Sequence, residues 1–201
     1  MKYPYPHLEV QGITSQKVLT TIRSLPRELF ISSEFQEVAY CDSALPIDCG
    51  QTISQPFIVA YMTEKLELKE TDKVLEIGTG SGFQAAVLAQ LAKEIYTIEV
   101  HEELSKKAQS LLNKSNFNNI HYKIGDGKKG WLELAPFDKI IITAVATEIP
   151  SLLLEQLKVG GRMILPLELE TEEQYLVLVK KLAEDKIEKQ KLIQVKFVNL
   201  K

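Results

Sequence analysis

Cross-links and metal ligands are scarce in this sequence. Its 201 residues include only two cysteines, Cys41 and Cys49. Their spacing is unlike a CxxC redox or zinc motif, so both read as free thiols rather than as a disulfide framework. Three histidines, His7, His101 and His121, are scattered without metal-ligand spacing, and no metal is expected. An excess of positive charge is missing as well. Lys and Arg number 24 against 27 Asp and Glu, a formal net charge of -3, which argues against whole-surface attraction for nucleic acid. No window approaches the roughly 18 apolar residues that span a bilayer. Met1-Lys2-Tyr3-Pro4-Tyr5-Pro6-His7 has no apolar stretch of the signal-peptide kind. A cytoplasmic protein with no membrane partner is therefore expected. Internal repeats and low-complexity linkers are also absent, and 45% hydrophobic with 25% charged residues is the composition of a globular chain. A single domain over 1–201 follows.

Against these absences, one stretch carries a strong signal. Lys73-Val74-Leu75-Glu76-Ile77 is an apolar run of strand length, and Gly78-Thr79-Gly80-Ser81-Gly82 breaks it before the helical spacing that begins at Phe83-Gln84. Strand, tight glycine turn and helix start together form a place where a nucleotide can approach backbone amides closely. Glu94 to Glu99 gives the next strand, which puts Glu99 about 20 residues beyond the first glycine, where a carboxylate can accept hydrogen bonds from both ribose hydroxyls.

Three further strands are expected at Ile120–Ile124, Phe137–Thr143 and Arg162–Pro166, with helices at Glu102–Asn113 and Ile149–Leu157, the latter stopped by Gly160-Gly161. Gln174–Lys180 and Leu192–Leu200 alternate as two antiparallel strands joined near Glu184-Asp185-Lys186, and Glu168–Glu173 reads as a solvated loop. Ahead of the first strand lie a helix over Thr14–Ser24, an aperiodic tract through Gly50 that suits a substrate lid, and a helix after Pro56. The fold class is thus α/β, a doubly wound, mainly parallel sheet with an antiparallel strand pair at the carboxyl end and a small helical elaboration at the amino end. Ligands of such a sheet sit above the carboxyl ends of its strands, here Gly78, Glu99, Gly125-Asp126 and Thr143-Ala144.

The type of nucleotide follows from a mismatch. A dinucleotide fingerprint wants GxGxxG, whose third glycine would fall at 83, yet that residue is Phe83 and the chain reads GxGxG after Glu76. This form suits a mononucleoside without a pyrophosphate, of which S-adenosylmethionine is the leading case. Glu76 is placed to hold the loop or the cofactor's ammonium group. Asp126, between two glycines, can accept from the adenine amine or simply close an Asx turn. The cofactor set comprises Glu76, Gly78, Thr79, Gly80, Ser81, Gly82, Gln84, Glu99, Asp126, Gly127 and Thr143. Ser54, before Pro56, reads as the N-cap of the helix that follows, at an exposed helix start that can also receive a carboxylate.

Val74 to Gly82 resembles motif I of class I methyltransferases. The wider set resembles the protein-L-isoaspartate O-methyltransferases: Leu25-Pro26-Arg27-Glu28-Leu29-Phe30, Ala44-Leu45-Pro46-Ile47, Gly50-Gln51-Thr52-Ile53-Ser54-Gln55-Pro56, Gly125-Asp126-Gly127 and Leu157-Lys158-Val159-Gly160-Gly161-Arg162. The resemblance implies a Rossmann-like domain with a substrate-binding segment in 1–54 and a cofactor-binding core in 55–201, working as a monomer. It implies methyl transfer from S-adenosylmethionine to the free α-carboxylate of L-isoaspartyl residues in damaged proteins, followed by spontaneous succinimide formation. Ser54 would be the active-site serine. Thr52, Ile53, Ser54, Gln55, Val145, Ala146 and Val198 would contact the peptide. A carboxylate of pKa about 3.5 is already ionised at neutral pH, so no general base is required. The sequence departs from the pattern at Asp48-Cys49, at Val145 and at Asn199, and the charge of Asp48 is expected to disfavour acidic peptides. Two other readings stay open: a class I methyltransferase for another carboxylate or small molecule, and a nucleoside-binding module without catalysis.

Overall fold

The computed structural model of the chain describes residues 4–169 and 172–201. Met1 to Tyr3, and Glu170 and Thr171 of the expected solvated loop, lie outside the described residues.

Helices α1 (His7–Val10) and α2 (Gln16–Ser24) open the chain. Ser15 caps α2 by accepting from the Val18 amide, and α2 buries Val18, Leu19 and Ile22 at helical spacing. The aperiodic tract that follows consists of 3-10 turns and a minimal hairpin, β1 (Leu45–Pro46) against β2 (Thr52–Ile53). Next come α3 (Pro56–Leu66), β3 (Lys73–Ile77), α4 (Phe83–Ala89), β4 (Glu94–Glu99), α5 (Glu102–Lys114), β5 (Ile120–Ile124), β6 (Phe137–Ile142) and α6 (Ser151–Gln156). Strands β7 (Leu157–Glu168), β8 (Gln174–Ala183) and β9 (Lys186–Val195) complete the fold.

Seven strands form one sheet in the order β5-β4-β3-β6-β7-β8-β9. The first five are parallel, and the β7·β8 and β8·β9 pairs are antiparallel. Parallel strands covered on both faces are mostly apolar, and Val74, Leu75 and Ile77 of β3 are buried, as is the one acid among them, Glu76. One core cluster gathers α2, α3 and α4 on one face, and the other holds Leu75, Ile77, Ile140, Ile142 and α6 residues. The chain winds outward from β3 to β5 and returns to β6, so the strand order reverses between β3 and β6. The crevice at this reversal lies between Gly78 and Thr143.

Two expectations are corrected. Gly160-Gly161 does not stop a helix, because α6 has already ended at Gln156 and β7 runs through the glycines. Opposite the step from Phe137 to Lys139, β7 advances from Leu157 to Arg162, a bulge in which Gly160 has φ +83°. A side chain at Gly161 would lie 2.8 Å from the Asp138 carbonyl. The last strand also begins earlier than expected. Ala183 pairs with Lys186 across Glu184-Asp185, so β9 is finished by Val195 and residues 196–201 leave the sheet. They cross back to the strand ends, where Val145 donates to the Val198 carbonyl and Leu200 donates to the Val145 carbonyl, both at 2.8 Å.

Candidate active site

The glycine turn is fixed from three sides. Gly78, Gly80 and Gly82 have φ of +94°, +52° and +87°, conformations that exact a steric penalty from residues with a Cβ. At Gly78 space decides too, since a Cβ would lie 2.4 Å from Thr143 Oγ1. That hydroxyl donates to the Gly78 carbonyl at 2.7 Å and ties the ends of β3 and β6 together. The Gly78 amide donates to the Ile98 carbonyl at 2.8 Å. Across the turn, Glu99 accepts from the Gly80 amide on Oε2 (2.8 Å) and from the His101 amide on Oε1 (3.0 Å). Each carboxylate oxygen keeps a further lone pair for a ligand hydroxyl.

Gly78, Gly80, Glu99, Gly127 and Thr143 line one cleft, closed from above by Gln51, Thr52 and Val198–Lys201. Its amides, hydroxyl and carboxylate suit a cofactor with a ribose, whose hydroxyls can donate to the Glu99 carboxylate. Gly127 has no room for a side chain, as its Cβ would lie 2.3 Å from Ile77 Cγ2.

Of the two roles expected of Glu76, the hydrogen bonds show the one toward the loop. It is fully buried beneath the turn, and its Oε2 accepts from Thr97 Oγ1 at 2.5 Å. Thr97 Oγ1 lies in turn 2.6 Å from Thr79 Oγ1. Glu76 therefore holds the loop from below. Thr79, likewise, spends its hydroxyl on this inward chain. Burial pushes the Glu76 carboxyl up to about 8, with the Thr97 hydroxyl opposing and the Glu99 charge adding to the rise. Oε1 of Glu76 and the hydroxyl of nearby Tyr122 have no partner among the described residues. Thr97 was not anticipated, because mid-strand hydroxyls carry no local signature.

Other cofactor candidates have local duties. Asp126 Oδ1 accepts from the Lys128 amide at 2.9 Å, the Asx turn, which leaves Oδ2 free. Ser81 Oγ accepts from the Phe83 amide at 3.3 Å at the start of α4. Gln84 donates to Thr63 Oγ1 at 3.0 Å.

Ser54 faces the turn. With Thr52 and Ile53 it lines a cavity whose opposite wall is Gly78, Thr79, Gly80, Ser81, Gln84 and Thr143. The cap reading of Ser54 does not hold, for the N-cap of α3 is Gln55 and has no side-chain cap. Asp42 does the capping from the aperiodic tract, accepting from the Phe57 amide at 3.0 Å on Oδ1 and from the Gln55 side chain at 2.8 Å on Oδ2. The Phe57 amide at the start of α3 is thus already taken by a carboxylate of the chain itself. The Ser54 hydroxyl has no hydrogen-bond partner among the described residues.

Val145 and Ala146 do not join this cavity. They are buried, their backbones pair with Asn199 and Leu167, and they line an adjacent cleft with Lys128, Glu148 and Glu168. Val198 does reach the cofactor cleft. Asp48 is paired with Lys107 at 2.7 Å, which compensates the charge expected to repel acidic peptides.

The description "Protein-L-isoaspartate(D-aspartate) O-methyltransferase" belongs to the family model that matches residues 6–201. The chain belongs to this family. A protein-L-isoaspartate O-methyltransferase of Parvibaculum lavamentivorans is 50% identical over 195 residues, covering 96% of this chain and 87% of that one. A solved protein-L-isoaspartate O-methyltransferase superposes with TM-score 0.87 at 28% identity over 96% of this chain, which spans 63% of that longer chain. A Plasmodium falciparum structure, described as a beta-aspartate methyltransferase of the same kind in complex with S-adenosyl-L-homocysteine, has TM-score 0.86 at 25% identity and covers 97% and 95% of the two chains. The fold is that of the class I, Rossmann-like methyltransferases, and no group of three or more metal-binding side chains exists among the described residues.

Proposed function

We propose that the cleft between the glycine turn and Ser54 is the site at which this chain methylates isoaspartyl residues. The chain is an S-adenosylmethionine-dependent protein-L-isoaspartate O-methyltransferase, acting on the free α-carboxylate of L-isoaspartyl residues in damaged proteins and peptides. One observation carries the site assignment: a serine hydroxyl with no partner among the described residues faces, across one cavity, the turn whose glycines and acid suit the cofactor.

When bound, S-adenosylmethionine supplies an electrophilic methyl group. The residues of the chain do the rest by placement. Gly78, Gly80 and Gly82 bring backbone close to the cofactor, Glu99 receives the ribose hydroxyls through its two remaining lone pairs, and Thr143 fixes the turn at the height of the β6 end. Asp126 reaches the adenine amine through Oδ2. The Ser54 hydroxyl donates to the substrate carboxylate, and the Ser54 and Gln55 amides, which donate to no group among the described residues, add to it. This offsets part of the cost of desolvating the anion. The carboxylate is already ionised at neutral pH, so no side chain has to remove a proton. Rate comes from alignment of the reacting atoms. Thr52 and Val198, on the roof of the cleft, contact the peptide backbone, while Val145 and Ala146 act by seating the crossing segment that includes Val198. The segments 1–54 and 55–201 act as one domain in a monomer, and a reducing cytoplasm suits the two exposed, unpaired thiols.

A pair of peptides identical except for an isoaspartyl or an aspartyl linkage tests this. Radiolabelled methyl should enter the isoaspartyl peptide alone. Equal labelling of both, or of neither, overturns the reading.

A further inference from the structure

Arg27 is the bulkiest of the fully buried side chains, and all of its hydrogen bonds among the described residues go to main-chain carbonyls. One terminal nitrogen donates to Ala39 (2.6 Å) and Cys41 (3.4 Å), and the other to Ser43 (2.9 Å) and Ser54 (3.1 Å). A buried guanidinium is costly unless its donors are met. The two terminal nitrogens of this one are met by gathering a tract that has no regular pairing apart from β1 and β2, while its Nε has no partner among the described residues. Asp42 works on the other side of the serine. Besides the Phe57 amide and the Gln55 side chain, it accepts from Gln11 at 3.1 Å and lies 3.2 Å from the His7 ring.

Residue 54 is thus held by its carbonyl, residue 55 by its side chain and residue 57 by its amide. The Ser54 hydroxyl has no partner of its own among the described residues, so the backbone sets where it points. We propose that Arg27 and Asp42 are positioning residues for Ser54, fixing the main chain on both sides of it so that its hydroxyl faces the cleft before substrate arrives. The proposal rests on the reading of Ser54 as the group that orients the substrate carboxylate. Lysine cannot replace Arg27 here, because a single ammonium cannot reproduce the planar fork that reaches Ala39 and Ser54 at once. Pre-placement of this kind acts on turnover, since a small displacement of a reacting group is costly in rate.

Arg27→Lys, Asp42→Asn, Ser54→Ala and the Arg27→Lys/Ser54→Ala double variant test this together. Each is assayed for kcat and KM on an isoaspartyl peptide, for S-adenosylhomocysteine affinity by calorimetry, and for Tm. The expected result is kcat/KM down about 10-fold or more in every variant, with cofactor affinity within about 2-fold of wild type. The double variant should be no worse than the poorer single variant, because a serine already out of place has little left to lose. If Arg27→Lys does not fold, the nearly isosteric Asp42→Asn carries the test by the same criteria. Multiplicative losses in the double variant, or cofactor affinity falling in step with kcat, overturn the positioning role. Full activity of Arg27→Lys or Asp42→Asn beside a damaged Ser54→Ala overturns it alone. A silent Ser54→Ala overturns it together with the Ser54 assignment.

Discussion

From Gly78 to Gly82 the proposed cofactor wall is one continuous turn, shaped by its own glycine torsions and met by groups at neighbouring strand ends. Facing it, the proposed substrate wall at Ser54 takes its shape from elsewhere, with its carbonyl bound by an arginine 27 residues upstream and its helix start capped by Asp42. A wall of the first kind is set by local backbone preference plus the register of parallel strands. One of the second kind exists only when distant side chains converge, and it fails when any of them is removed. The difference also separates affinity from turnover. Damage to the turn should release cofactor, whereas damage around Ser54 should slow methyl transfer with cofactor still bound.

The sharpest way to break the cofactor wall is Gly78→Ala. Its Cβ would meet Thr143 Oγ1 at 2.4 Å from a backbone at φ +94°. Strain and overpacking together should cost about 3 kcal/mol of stability and most of the S-adenosylhomocysteine affinity. Urea melts and calorimetry measure both. Wild-type values would show that the turn relaxes freely. Glu99→Ala leaves the glycines alone and removes the ribose acceptor. Cofactor binding should weaken by about 1.5–3 kcal/mol, the range for a charge-assisted hydrogen bond, and unchanged affinity would reject the ribose role.

Glu76→Gln probes the floor beneath the turn through its pH dependence. A carboxyl whose folded pKa is raised from 4.5 to about 8 takes up a proton on folding between those values. Its contribution is fully present below about pH 4.5 and is lost as pH rises through about 8. Glutamine does not titrate, so the variant should gain stability relative to wild type between pH 5 and pH 8 in paired urea melts. A constant difference would place the proton elsewhere.

The smallest effect belongs to Lys107→Ala. Its pair with Asp48 is largely exposed, and such pairs contribute about 0–1 kcal/mol. Stability should barely move, while KM for an acidic isoaspartyl peptide should rise more than for a neutral one once Asp48 is uncompensated. Equal KM changes would show that Asp48 does not face the substrate.

Much of the cofactor wall was legible in the residues. The GxGxG turn, Glu99 at its spacing and the strands through β6 all stand where the pattern put them, because apolar runs and glycine breaks are local signals. Glu76 was singled out with two roles open, the loop or the ammonium group, and nothing in a strand's sequence says that its acid will meet a threonine on the adjacent strand. The substrate wall was legible only through resemblance to a family. Ser54 looked like a helix cap by position, and the true cap, Asp42, sits in a stretch with no periodicity to read. Arg27 lay inside a segment that matched the family and yet suggested no role, for an arginine in sequence gives no hint that it will be buried among carbonyls.

The sequence by itself determined the winding of the sheet, the glycine turn and the class of cofactor, because these follow from side-chain periodicity, from the freedom of residues without a Cβ and from the distance between a strand end and the next. Only the tertiary structure decided which hydroxyl is left without a partner, which acid is sealed beneath the turn and which charges hold the serine in place. Those outcomes depend on contacts between segments far apart in the chain, where burial and hydrogen-bond competition, rather than spacing, choose the partner.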